Sequence, residues 1–200
     1  MHNESGNTDA LKMLVDGGGN IDAIDQIGGT PLLWAAGLSP NPETLSYLIE
    51  RGANVNLVDS NGMTPLIWAA GIGQPASVKI LIDNGADLEV AEIHQNETAV
   101  MRAARIGKPE TLAFLVDAGA SLEARNALGH TPLLIASNSA PVEKIQMIVD
   151  AGADVTATDI RGWTALDHAK TRTDANRTQV VEYLEGVMPA QDAPAEAPGE

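Results

Sequence analysis

The sequence predicts an all-α repeat solenoid, a stack of turn–helix–helix units, and three observations carry that prediction. One phrase recurs: GGTPLLWAA at 28–36, GMTPLIWAA at 62–70, NETAVMRAA at 96–104, GHTPLLIAS at 129–137 and a worn GWTALDHAK at 162–170. Its threonines, Thr30, Thr64, Thr98, Thr131 and Thr164, are separated by 34, 34, 33 and 33 residues, a period that marks stacked small units. A second motif keeps the same step. The windows 44–52, 77–85, 111–119 and 144–152 each close in glycine, followed by Ala53, Ala86, Ala120 and Ala153.

Residues 59–92 show how one unit is built. Asp59-Ser60-Asn61-Gly62 reads as a turn, with short side-chain acceptors and a glycine that tolerates positive φ. Thr64 then caps a helix start, and Pro65 takes the first helical position, where its missing N–H is harmless. Residues 66–70 form a short apolar helix, ended by Gly71 and Gly73. A second helix starts at Pro75 and is expected to reach Asn84, with Val78, Leu81 and Ile82 on one buried stripe and Gly85 as its left-handed cap. Helices this short are marginal alone in water, so neighbouring units must supply the stability. The alanine after each second helix predicts a close approach between layers.

These units resemble ankyrin repeats, whose phrase combines G-x-TPLH-x-AA with a second helix ending in G-A-D-V-N. Here that ending is Gly52-Ala53-Asn54-Val55-Asn56, and again Gly152-Ala153-Asp154-Val155-Thr156. The resemblance covers residues 8–187 and implies β-turn–helix–helix ankyrin-type units in a curved solenoid whose usual work is protein recognition. It divides the chain into an N-terminal remnant (1–7), a partial first repeat (8–24), full repeats at 25–58, 59–92, 93–125 and 126–158, a capping repeat (159–187) and a Pro/Ala/Glu-rich tail (188–200). The tail composition predicts disorder. Residues 6–18 match 73–85, so 10–16 should form a second helix whose own first helix is missing, and the chain reads as a cut or processed product. At the other end, 164–169 is a worn first helix, 173–177 an insertion and 180–185 part of the last helix. Lys170, Arg172, Arg177, Glu182 and Glu185 are expected to give that end a solvated face.

The departures from the family phrase are specific. Its histidine after TPL is replaced by Leu33, Ile67, Met101, Leu134 and Asp167, which predicts apolar packing in place of a polar link. One residue further on, Trp34 and Trp68 are followed in the series by Arg102, Ile135 and His168. The two tryptophans are expected to serve repeat packing more than a surface platform. The loop 37–42 and the turn 91–96 each carry one extra residue.

Composition narrows the function. The formal charge of −15 argues against nucleic acid as a partner, which needs a basic stripe, and against attachment to anionic lipid. It would favour a basic protein partner. There is no cysteine, so thiol catalysis and thiolate metal sites are absent. No apolar run is long enough for membrane insertion. The compartment stays open, cytoplasmic or exported after signal removal. No phosphate-binding loop, HExxH or GxSxG is present, so the reading is not an enzyme, with no cofactor. His94, His130 and His168 are spaced 36 and 38 residues apart. They occupy different repeat positions and are read as unrelated surface histidines, with no metal site. Asp25, Asp59 and Asp159, with Asn126 in the same place, are read as turn acceptors rather than a calcium ladder.

The resemblance places recognition on the turn tips and the outward side of the first helices. In this chain those positions are Gln26, Ile27, Ser60, Asn61, Met63, Gln95, Glu97, Arg102, Arg105, Leu128, His130, Arg161 and Trp163, joined by the equivalent residues Leu38, Ile72 and Ile106. The expectation is a concave groove that grips a protein segment with apolar anchors and an acidic rim. The alternatives are a structural or assembly module of a larger polypeptide, and an inhibitor or immunity partner of an enzyme.

Overall fold

The computed structural model describes residues 11–37, 41–72 and 74–188. The expected N-terminal remnant, Leu38 and Pro40 of the long loop, and the tail from residue 189 lie outside the described residues. The rest is helical: α1 (11–16), α2 (Pro31–Gly37), α3 (Pro42–Glu50), α4 (Pro65–Ile72), α5 (Pro75–Asp83), α6 (Ala99–Arg105), α7 (Pro109–Asp117), α8 (Pro132–Ser139), α9 (Val142–Asp150), α10 (Ala165–Lys170) and α11 (Arg177–Val187). The even-numbered helices α2 to α10 pack in sequence as one layer. The odd-numbered helices α3 to α11 form the second, and each pairs with the first helix of its own repeat. The result is the repeat solenoid that the period predicts.

One continuous core runs through both layers. Leu32, Leu66, Val100 and Leu133 fill it from the first helices, and Leu48, Leu81, Leu115 and Ile148 from the second, all at most 1 % exposed. Leu33, Ile67, Met101 and Leu134 are buried as well, so the family's histidine position has become apolar packing. In the last repeat Asp167 closes a capping box with Thr164 instead. The recurring alanines, Ala53, Ala86, Ala120 and Ala153, are buried as part of the core.

Helix ends follow local chemistry, with two departures. Helix α4 continues through Gly71 to Ile72, because packing in the helix layer outweighs the low helix propensity of one glycine. Arg172 is buried, not part of the solvated end. Its Nη1 donates to the carbonyls of Ser137 (3.3 Å) and Ala140 (2.7 Å), just where α8 runs out of N–H partners. Gly85 and Gly119 close α5 and α7 at φ 81° and 87°, a region β-branched residues avoid.

The N-caps differ in quality. Thr64 Oγ1 accepts from Ile67 N at 3.1 Å, whereas Thr98 Oγ1 is buried without a partner among the described residues. Thr64→Val is therefore expected to lower stability by about 1 kcal/mol. Thr98→Val should be neutral or stabilising, because it removes an unsatisfied hydroxyl. Paired urea titrations will separate the two, and equal losses would refute the cap assignment.

Neighbouring repeats are also sewn together by polar bonds. Each turn tip donates a backbone N–H to the tip before it: Ser60 to Ile27 O (3.1 Å), Ile93 to Asn61 O (3.0 Å), Ala127 to Gln95 O (2.8 Å) and Ile160 to Leu128 O (3.3 Å). After the second helices, Asp22, Asn56, Glu89 and Glu123 accept from the backbone of Asn54, Asp87, Ser121 and Asp154 in the next repeat. At the start, α1 is tied to α3 by Tyr47, whose hydroxyl donates to Asp16 (2.8 Å), and by an Arg51–Asp16 ion pair.

Candidate binding face

The tips owe their shape to one acceptor beneath each turn. Asp25 Oδ1 accepts from Ile27 N and Gly29 N (2.9 and 2.8 Å). Asp59 Oδ1 accepts from Asn61 N and Met63 N (2.8 and 3.0 Å). Asn126 repeats the pattern with Leu128 N and His130 N (both 2.9 Å), as does Asp159 with Arg161 N and Trp163 N (2.7 and 3.0 Å). The turn with the extra residue uses Glu92 at this place. Its longer side chain reaches His94 N, Gln95 N and Glu97 N (2.8, 2.6 and 3.4 Å), while Asn96 takes the left-handed conformation (φ 56°) that glycine takes in the other turns. One added methylene thus spans one added residue.

The second oxygen of the aspartate anchors, Asp25, Asp59 and Asp159, faces the helix position nine residues on. Trp34 Nε1 donates to Asp25 Oδ2 (2.9 Å) and Trp68 Nε1 to Asp59 Oδ2 (3.2 Å). The tryptophans are therefore hydrogen-bonded pillars between turn and helix, in addition to their packing. They supply the turn-to-helix polar link that the apolar residues after TPL do not. Where the anchor is Asn126 the helix residue is the donor-free Ile135, and the Asn126 amide nitrogen has no partner among the described residues. The sequence carries the signal for this link, since Asp25–Trp34 and Asp59–Trp68 keep one spacing.

In the last repeat the same geometry brings ionisable groups together. Asp159, buried at 6 % exposure, has His168 Nε2 at 3.2 Å and His130 Nε2 at 3.5 Å from its Oδ2. Arg161 Nε and Nη2 reach the same oxygen at 3.0 and 2.9 Å. Burial pushes the Asp159 carboxyl up, but the bonds from Trp163 N and from the Arg161 side chain and backbone outweigh it and hold the group well below the usual carboxylate range. Burial lowers both imidazoles. His130 and His168 lie edge to face at 5.0 Å, and Trp163 stands 5.5 Å from His168. The expectation of unrelated surface histidines fails here, because stacking pairs the turn end of one repeat with the first helix of the next. Met63 and Arg102 make the same diagonal contact earlier in the array, Nη2 to Sδ at 3.7 Å.

The other candidate residues divide by exposure. Gln26, Ile27, Ser60, Asn61, Gln95, Leu128 and Arg161 are exposed along the tips, and Ile72, Arg105, Ile106 and Trp163 beside them. Arg102 and His130 are half-buried. Met63 and Glu97 are buried at 8 % and 2 %, so the expected open position does not hold for these two. Met63 has Arg102 of the following repeat against its sulfur, and Glu97 is enclosed by ion pairs with Arg102 and Arg105. Leu38 lies outside the described residues. Ile93 and Ile160, exposed by 66 % and 71 %, are tip residues that the sequence reading missed. They follow Glu92 and Asp159 directly, as Gln26 and Ser60 follow their anchors.

No helix among the described residues is long and apolar enough to cross a membrane. A family model described as ankyrin repeats (three copies) matches residues 2–92 and 89–159. No curated relative matches the chain.

Proposed function

Because the chain belongs to the ankyrin repeat family, whose members are general protein–protein interaction modules and typically non-catalytic, we propose that it works by binding a protein segment across its turn tips and first helices. The observation that carries this reading is the pair Ile72 and Ile106. They are exposed by 41 % and 59 % and stand one repeat apart at the ends of neighbouring helices, where Ile106 Cδ1 reaches Gly71, the residue before Ile72, at 3.8 Å from where a Cβ there would sit. Apolar side chains held in register on a rigid scaffold suit the anchoring centre of an interface. The tips Ile27, Ile93, Leu128 and Ile160 extend the apolar character along the backbone ladder. The chain's net charge of −15 would speed encounter with a basic segment.

The test is the double substitution Ile72→Ser/Ile106→Ser. Partners are first captured from the native cell on the unaltered protein, and the strongest is then titrated against both forms. The expected result is a fall in affinity of about tenfold or more with a urea midpoint close to the parent's, since exposed positions contribute little to stability. Lost stability with unchanged affinity would reassign the pair to covering the helix ends.

A further inference from the structure

We propose that His130, Asp159 and His168 form a binding site for a single zinc-type divalent cation, which staples the last full repeat to the capping repeat. Three observations lead there. The first is convergence: one ligand atom from each residue lies within 4.8 Å of the other two, and all three residues are inward-facing. Tetrahedral zinc with N and O ligands at about 2.0–2.2 Å sets ligand-to-ligand edges near 3.3–3.5 Å. The approaches of His168 Nε2 and His130 Nε2 to Asp159 Oδ2, 3.2 and 3.5 Å, already match that edge.

The second is an unmet valence. His168 is 3 % exposed, and its Nε2 has no properly directed hydrogen-bond partner despite its nearness to Asp159. The corresponding tryptophans each place a well-directed N–H on their carboxylate. A buried ring nitrogen aimed at a carboxylate without completing a bond is what a metal ligand offers. The third is support around the site. Asp159 Oδ1 is fixed by the backbone N–H groups of Arg161 and Trp163, so the carboxylate is oriented before any ion arrives, as outer contacts orient ligands elsewhere.

Arg161 is the competitor, since its guanidinium sits on the same oxygen. Its side chain is 54 % exposed and stacks on Trp163 at 4.2 Å. It can therefore leave Oδ2 for solvent while a dication takes over its charge role. Three protein ligands leave the fourth tetrahedral position to water. The donor set of two imidazoles and one carboxylate suits zinc, and cobalt as its spectroscopic substitute, over calcium or magnesium, which prefer all-oxygen shells. The ion would join residues from two repeats and act as a cross-link at the C-terminal end of the stack.

The experiment is titration of chelator-treated full chain with zinc chloride by calorimetry, repeated with cobalt to read the visible bands of tetrahedral nitrogen–oxygen coordination. One ion per chain at micromolar concentrations and a raised thermal midpoint are expected. His130→Gln and His168→Gln should each weaken uptake by about tenfold or more. As a control that needs no variant, histidine ring NMR signals of the unaltered chain should move for two of its four histidines on adding one equivalent of zinc. Absence of saturable uptake, or uptake that perturbs only His2 and His94, would overturn the assignment. So would affinity unchanged in the two folded variants.

Discussion

Asp59→Ala is expected to destabilise the array by about 3 kcal/mol, the sum of three charge-assisted hydrogen bonds lost and partly replaced by water. The carboxylate holds Asn61 N and Met63 N through one oxygen and Trp68 Nε1 through the other, and Met63 is too buried for water to replace its bond fully. The damage also spreads along the ladder. Ser60 donates to Ile27 and Asn61 accepts from Ile93, so a loosened turn weakens its attachment on both sides. Asp59→Asn should lose about half as much. It keeps the Oδ1 acceptor but turns an amide donor toward the indole N–H, setting donor against donor. Urea titration followed by tryptophan emission gives both the midpoint and the local environment. If the asparagine variant is as stable as the parent, the link to Trp68 contributes nothing, and if it loses as much as the alanine variant, the Oδ1 turn bonds contribute nothing.

Lys144→Ala is the second large effect, a loss of about 3 kcal/mol from an emptied site and two stranded carbonyls. Lys144 is 4 % exposed, and its ammonium donates to Ala103 O (2.9 Å) and Ala104 O (3.1 Å) at the end of α6. Burial lowers its pKa, yet the two carbonyls and the negative end of the helix favour the charge. Lys144→Met refills the volume but leaves the carbonyls bare, and should lose about half as much. Thr44, Ser77 and Thr111 hold the same place in the other repeats, so Lys144→Thr tests whether the short hydroxyl of the family position suffices. Thermal and urea midpoints of the three variants, measured together, separate volume from hydrogen bonding. Equal stability of Lys144→Met and the parent would show that the ammonium–carbonyl bonds have no net value.

Much of this was legible in the residues. Thr-Pro starts, glycine ends and the apolar stripe Val78–Leu81–Ile82 placed the helices within a residue or two, because caps and periodicity are local. The turn acceptors Asp25, Asp59 and Asp159 were legible for the same reason. Arg172 and Lys144 were not. In the sequence they are charges on a terminal repeat and in a helix window. Their partners are carbonyls 32–41 residues away, and only stacking aligns those carbonyls with a long cationic side chain. Met63 and Glu97 misled in the other direction. Their position is outward in the repeat pattern, yet both lie against arginines of α6, Met63 against Arg102 and Glu97 against Arg102 and Arg105.

The histidines show the division most clearly. By itself the sequence determined the repeat solenoid, its period and the turn acceptors Asp25, Asp59 and Asp159, because these depend on backbone preferences and on spacing within one unit. His130 and His168, 38 residues apart, hold different places in that unit, and a reading by equivalent positions keeps them separate. Tertiary structure decided that they meet at Asp159, because successive repeats pack diagonally as well as straight across. A spacing of one period plus five brings a turn end onto the next first helix. Repeats that bury little alone gain stability from such contacts, and side chains of differing repeat position are thereby brought into one site.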